Sequence, residues 1–141
     1  NQYDNAIRYV DHLVKKMNDQ LEKKQANTYL LYFSDHGDEV YDIRDFKGHN
    51  DDNPTPAMFE IPFVLWRSKA HKQQFQIAED TTRAATIDHL IYSMSDLSGI
   101  DFKGFEAQKS IFSKQYQEPN KRILGSRRDE YRELIKKDWV Y

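Results

Sequence analysis

The stretch that decides the reading is Thr28-Tyr29-Leu30-Leu31-Tyr32-Phe33-Ser34-Asp35-His36-Gly37. Its first six residues are nearly all apolar and rich in strand formers. A run of this kind without polar alternation predicts a central strand buried on both faces, as in a parallel α/β sheet. The run stops abruptly, and a carboxylate and an imidazole stand side by side before a glycine. In open α/β folds ligands bind beyond the carboxyl ends of the strands, which is where Asp35 and His36 fall. A continuing strand would send these neighbours to opposite faces, whereas a turn lets them converge.

Upstream, Ile7, Val10, Val14, Met17 and Leu21 recur at steps of three and four, which predicts an amphipathic helix from Asp4 to Lys24. Downstream, Asp35 to Asp52 holds seven acidic residues against Arg44 and Lys47, with no helical period, and reads as a loop closed by Pro54 and Pro56. Glu60 to Trp66 supplies a second strand, with Pro62 near its start where a missing donor is easiest to accommodate. Ser68 is placed to cap a short helix through Phe75. Thr81 or Thr82 is placed to cap a longer one that turns Ala85, Ile87, Leu90, Ile91 and Met94 inward and ends at Leu97-Ser98-Gly99-Ile100. From about residue 101 the pattern predicts an irregular tail anchored by Phe102, Phe105, Ile111 and Phe112. The order helix, strand, acidic loop, strand, two helices gives an α/β fold class, a partial open sheet flanked by helices. Two strands alone leave sheet edges that call for neighbours from elsewhere.

Composition narrows the function. At 141 residues and 16.8 kDa the chain is one domain or a large piece of one. A net charge of −2 gives no support to a nucleic-acid reader. The absence of cysteine excludes disulfides, thiol catalysis and thiolate metal ligands. No apolar run approaches the ~18 residues of a membrane span. The chain begins with Asn, which points to an excised or processed piece of a longer parent.

Oxygen and imidazole donors at a strand end suit zinc, and manganese less well, while the imidazole disfavours calcium. His49 lies thirteen residues beyond His36 across the acidic loop and can return to the same centre. Taken alone, the Asp-His-Gly triplet fits a capping turn with a hydrogen-bonded histidine better than a metal site, and its place after this strand with a second histidine across the acidic loop brings the two readings level. Asp38 and Glu39 are the nearest carboxylates that could orient an imidazole through its distal nitrogen. His12, His71 and His89 read as surface or packing residues, and Ser34 lacks the Gly-x-Ser-x-Gly setting of a nucleophile. Arg122, Arg127, Arg128 and Arg132 form a basic patch that suits either a solvated face or contact with anionic phosphates.

With Tyr3-Asp4-Asn5-Ala6, Tyr9, Asp11, Tyr32 to Gly37, Pro56 and Ile61 to Trp66 in view, the chain resembles the bacterial phosphoethanolamine transferases. These belong to the alkaline phosphatase and sulfatase superfamily, and the likeness is to the C-terminal part of their periplasmic catalytic domain. It runs from about Tyr3 to Ile100 and more loosely into the tail. The resemblance implies that residues 1–141 are one C-terminal portion of such a domain. It implies Asp35 and His36 as zinc ligands and His49 as a catalytic histidine near the phosphoryl group or a second zinc. It also implies transfer of phosphoethanolamine from phosphatidylethanolamine to lipopolysaccharide through a phosphothreonine, in a parent held in the inner membrane with this region in the periplasm. Asp38-Glu39-Val40-Tyr41-Asp42 looks more like the members that modify the lipopolysaccharide core heptose than those that modify lipid A. The family's threonine nucleophile and a further carboxylate ligand lie upstream of this region, and Thr28, Thr55 and Thr81 stand in the wrong contexts to replace the first. The chain is therefore expected to be inactive alone, with the upstream half of its own domain as its first partner. The competing readings are a sulfatase or phosphodiesterase of the same superfamily, and a non-enzymatic soluble interaction domain.

Overall fold

The computed structural model describes residues 2–125 and 129–137. Arg127 and Arg128 of the basic patch, and Asp138 at the end of the tail, lie outside the described residues. The chain forms two compact units, Asn1–Tyr32 with Phe63–Gln76, and Phe33–Pro62 with Ile77–Tyr141.

In the first unit, helix α1 spans Gln2–Lys23, strand β1 Tyr29–Phe33, strand β4 Phe63–Arg67 and helix α2 Lys69–Gln74. β1 and β4 are hydrogen-bonded neighbours, so the two strands expected from sequence do meet in one sheet. The helices flanking this pairing give the chain its α/β character. Burial of β1 on both faces is not observed, because all five of its residues are only half-buried. A two-stranded sheet consists of edges, and full burial requires layers on both faces. The same incompleteness marks α1, whose apolar stripe leaves Ile7 47% and Met17 57% exposed.

α2 follows the expected caps. The Ser68 hydroxyl accepts from His71 N at 3.1 Å and from Thr28 N at 3.1 Å, and Ser68 N donates to Thr28 O at 2.9 Å. One serine therefore starts the helix and ties it to the segment entering β1. Behind it Arg67 and His71 are buried, with Arg67 Nε donating to His71 Nδ1 at 2.9 Å. That is a packing role for His71, reached through a charged partner.

In the second unit the acidic segment is not a bare loop. Strands β2 (Glu39–Val40) and β3 (Lys47–Gly48) form an antiparallel hairpin, with Glu39 opposite Gly48 and Val40 opposite Lys47. Two-residue strands are too short to leave an alternation in sequence. Thr55 and Pro56 open a 3₁₀ turn over Pro56–Met58, which buries Met58 completely.

Helix α3 (Leu90–Ser98) is shorter than expected and presents a different face. Asp80, rather than a helix-capping threonine, organises the approach: its Oδ1 accepts from Thr82 N at 3.0 Å and from Thr82 Oγ1 at 2.6 Å. The chain reaches α3 through a 3₁₀ turn at Ile87–His89, and Gly99 ends the helix at φ 67°. The buried residues are Ser93, Ser95 and Leu97, while Ile87, Ile91 and Met94 are exposed. The serines lie inside because they carry bonds: Ser93 Oγ accepts from Ile111 N at 3.2 Å, and Ser95 Oγ donates to Ile100 O at 2.6 Å. The tail packs on this polar face. Phe112 is buried as expected, and Phe102 and Phe105 lie tilted beside Tyr92 with centroids 5.6 and 6.2 Å from its ring, although Phe102 remains exposed. Beyond it, strands β5 (Ile123–Leu124) and β6 (Asp129–Glu130) pair antiparallel, and helix α4 (Tyr131–Leu134) buries Leu134.

Candidate metal and phosphoryl site

The candidate residues all fall in the second unit, on the segment that follows β1. Ser34 Oγ donates to His36 O at 2.7 Å and His36 N donates to Asp35 Oδ1 at 3.1 Å, which folds the three residues into a tight turn. Ser34 is thus engaged locally. Gly37 completes the turn by donating its N–H to Met58 O at 2.9 Å. A Cβ on Gly37 would stand 2.1 Å from Ala57 O and 2.7 Å from Glu60 O. Glycine is required here because the backbone of the Pro56–Met58 turn lies directly against it.

The Gly37 carbonyl organises both histidines. His36 Nδ1 lies 2.9 Å from this oxygen and His49 Nδ1 3.2 Å from it, with the two ring centroids 4.5 Å apart. A carbonyl only accepts, so each bond places a proton on Nδ1, and at His36 this leaves the Nε2 edge for other chemistry. At His36 that edge faces Asp35, whose Oδ2 is 4.0 Å from Nε2. At His49 it faces Asp51, with Oδ1 at 2.9 Å. Asp51 was not singled out in the sequence as a partner of His49, although a carboxylate two residues after a candidate histidine was the available signal.

The electrostatics follow this geometry. The backbone N–H of Asp35 and the neighbouring His36 imidazole hold the Asp35 carboxyl below its usual range. His36 is raised, first by its bond to the Gly37 carbonyl, which burial opposes, and further by the charges of Asp35, Asp38 and Asp51. Asp38 Oδ1 is 3.9 Å from His36 Nδ1, close enough for charge but not for a hydrogen bond. Glu39 takes a different place from the one expected. Its fully buried carboxylate accepts from Asp42 N at 2.5 Å, Ile43 N at 2.8 Å and Thr55 Oγ1 at 2.8 Å. Both oxygens are occupied by the loop itself, so Glu39 braces the hairpin rather than an imidazole. Thr55, fully buried on Glu39, has no nucleophile's setting.

Asp35 and His36 fit a zinc ion as two of its donors. Their side chains are 86% and 46% exposed, and His36 Nε2 is the free edge of a ring fixed through its other nitrogen. A tetrahedral zinc with bonds of ~2.0–2.1 Å holds adjacent donors roughly 3.4 Å apart. The two candidate donors stand 4.0 Å apart, with the Asp35 side chain largely exposed. Among the described residues no group of three or more His, Cys, Asp or Glu side chains is placed to hold an ion, so the set is partial.

The Sulfatase family model matches residues 1–100, and the chain belongs to that family. It is 39% identical over 129 residues to the phosphoethanolamine transferase EptC of Escherichia coli K12, covering 87% of this chain and 22% of the relative. The same identity and coverage are found with the phosphoethanolamine transferase CptA of Salmonella typhimurium LT2. The crystal structure of the C-terminal periplasmic domain of EptC from Escherichia coli, in complex with Zn, superimposes with a TM-score of 0.86 at 35% identity, covering 98% of this chain and 41% of that one. The chain thus spans about a fifth of the length of the curated relatives it matches, 22% in each of these two. The likeness to the solved domain supports the α/β class of an open sheet flanked by helices.

Proposed function

We propose that residues 1–141 are a C-terminal portion of the catalytic domain of a zinc-dependent phosphoethanolamine transferase. In this reading the parent is anchored in the bacterial inner membrane and works in the periplasm. It moves phosphoethanolamine from phosphatidylethanolamine to lipopolysaccharide, with the core heptose as the acceptor region. The observation that carries the reading is the pairing of Asp35 with the free Nε2 edge of His36 at the end of β1. It is supported by the match to transferases of this kind along most of the chain.

Zinc, when bound, supplies a Lewis acid that polarises the phosphoryl oxygens and makes a nearby hydroxyl more acidic. Within this chain Asp35 and His36 hold the ion, and the Gly37 carbonyl keeps His36 in the tautomer that can do so. His49 stands beside them with its ring against that of His36, placed to meet the phosphoryl group. The nucleophile and the remaining donors come from the upstream half of the domain, and the half-covered stripe of α1 and the exposed Phe63 and Val64 of β4 offer apolar surface of the kind that half would cover.

The test is the lipopolysaccharide itself. Expressed in a strain lacking its own core transferase, the complete protein is expected to add one phosphoethanolamine mass to the core. Asp35→Ala and His36→Ala are expected to abolish that addition. Unmodified core with the intact protein, or modification that survives both substitutions, would contradict the proposal.

A further inference from the structure

We propose that Asp51 is the positioning residue for His49 and that Gly125, from the tail, holds Asp51 in place, so that the β5 end of the tail is a structural part of the site. This inference rests on the role proposed above for His49. Besides the neighbouring His36 ring, with centroids 4.5 Å apart, three contacts hold the His49 ring: Nδ1 on the Gly37 carbonyl at 3.2 Å, the edge of Phe59 with centroids 5.1 Å apart, and Nε2 on Asp51 Oδ1 at 2.9 Å. The first is long and the second is apolar. The Asp51 bond is the short, charge-assisted one and fixes the rotation that keeps the ring beside His36.

Asp51 is in turn backed from behind. Gly125 adopts φ 58°, and a Cβ built on it would lie 3.0 Å from Asp51 O, 3.3 Å from Asp51 Cβ and 3.4 Å from Asp51 Cα. A side chain at residue 125 would crowd Asp51, which would have to yield by a few tenths of an ångström at the backbone and Cβ that carry its carboxylate. Gly125 directly follows β5, whose pairing with β6 fixes the backbone leading into it. A segment seventy-four residues downstream of Asp51, since 125 − 51 = 74, thereby sets the position of a histidine in the candidate site.

The test has a spectroscopic and a kinetic arm. Long-range ¹H–¹⁵N correlations of the histidine rings in this chain read the setting of His49 directly. Asp51→Ala is expected to shift the His49 Nε2 resonance and leave that of His36 in place. Asp51→Asn, which keeps an acceptor oxygen, is expected to restore most of the shift. Gly125→Asn tests the contact without the backbone penalty, since asparagine tolerates positive φ, and is expected to move the same resonance. In the complete transferase, Asp51→Ala is expected to lower kcat ~10–100-fold with little change in KM or zinc content, and Asp51→Asn to recover part of it. In a His49→Ala background Asp51→Ala is expected to cost nothing further. A His49 resonance indifferent to all three variants would overturn the positioning, whatever the kinetics. A resonance that responds while His49→Ala leaves turnover intact would instead overturn the role proposed for His49, and the positioning role with it.

Discussion

The imidazole rings of His36 and His49 lie 4.5 Å apart and both present Nδ1 to the carbonyl oxygen of Gly37. One backbone acceptor thus orients two rings thirteen residues apart. It works only if the Gly37 backbone is itself fixed, which the Pro56–Met58 turn achieves through the bond from Gly37 N to Met58 O.

Gly37→Ala should therefore damage both fold and site. Its Cβ would meet two backbone carbonyl oxygens, at 2.1 and 2.7 Å, neither of which is a flexible side-chain end. Overpacking of this kind costs ~1–3 kcal/mol and sometimes more. Denaturant unfolding should show a lower midpoint with an unchanged slope, and zinc affinity should fall although no ligand has been altered.

Glu39 gives the chain an acid-sensitive brace. Burial raises its pKa, but the bonds from Ile43 N, Thr55 Oγ1 and Asp42 N outweigh it, and the net result lies below the ordinary value of 4.5. A depressed folded-state pKa contributes stability that is present above 4.5 and lost as pH falls through the folded value. Unfolding followed from pH 6 downward should show that loss, and Glu39→Gln should flatten it. Glu39→Ala, which strands several donors, should cost ~1–3 kcal/mol or more at neutral pH.

Tyr131 behaves oppositely at the alkaline end. Burial, followed by its hydrogen bond to Glu60, pushes its phenol up to about 12. A raised folded-state pKa means stability fully present below 10.0 and lost as pH climbs towards about 12. Ultraviolet titration should show a tyrosine ionising at about pH 12 that disappears in Tyr131→Phe, together with the alkaline fall in stability.

Ser68→Ala removes an N-cap that serves two backbone donors, His71 N and Thr28 N. The expected loss is ~1–2 kcal/mol, towards the upper end of cap substitutions. Ser68→Asp should retain most of the stability, as read by thermal unfolding.

Legibility from sequence followed the range of the forces involved. The α1 helix, the pairing strands and the Ser68 cap were readable because periodicity and capping act within a few residues. The β2–β3 and β5–β6 hairpins were not, since two-residue strands carry no pattern. The buried face of α3 differs from the expected one because Ser93 accepts a hydrogen bond from the distant Ile111 and Ser95 donates to Ile100 just past the helix end, while Ile91 and Met94 remain exposed. At the site, Asp35, His36 and His49 stood out by residue type and setting. Their shared acceptor and the bond of Glu39 to Thr55 depend on tertiary contacts that no local pattern encodes, whereas Asp51 lay only two residues from His49.

The central claim is that Asp35 and His36 hold zinc, and elemental analysis with titration calorimetry tests it most directly. The account predicts weak zinc binding by this chain, as two donors of a larger set allow, and its loss in both Asp35→Ala and His36→Ala. Zinc retained at full stoichiometry and unchanged affinity in both variants would contradict it.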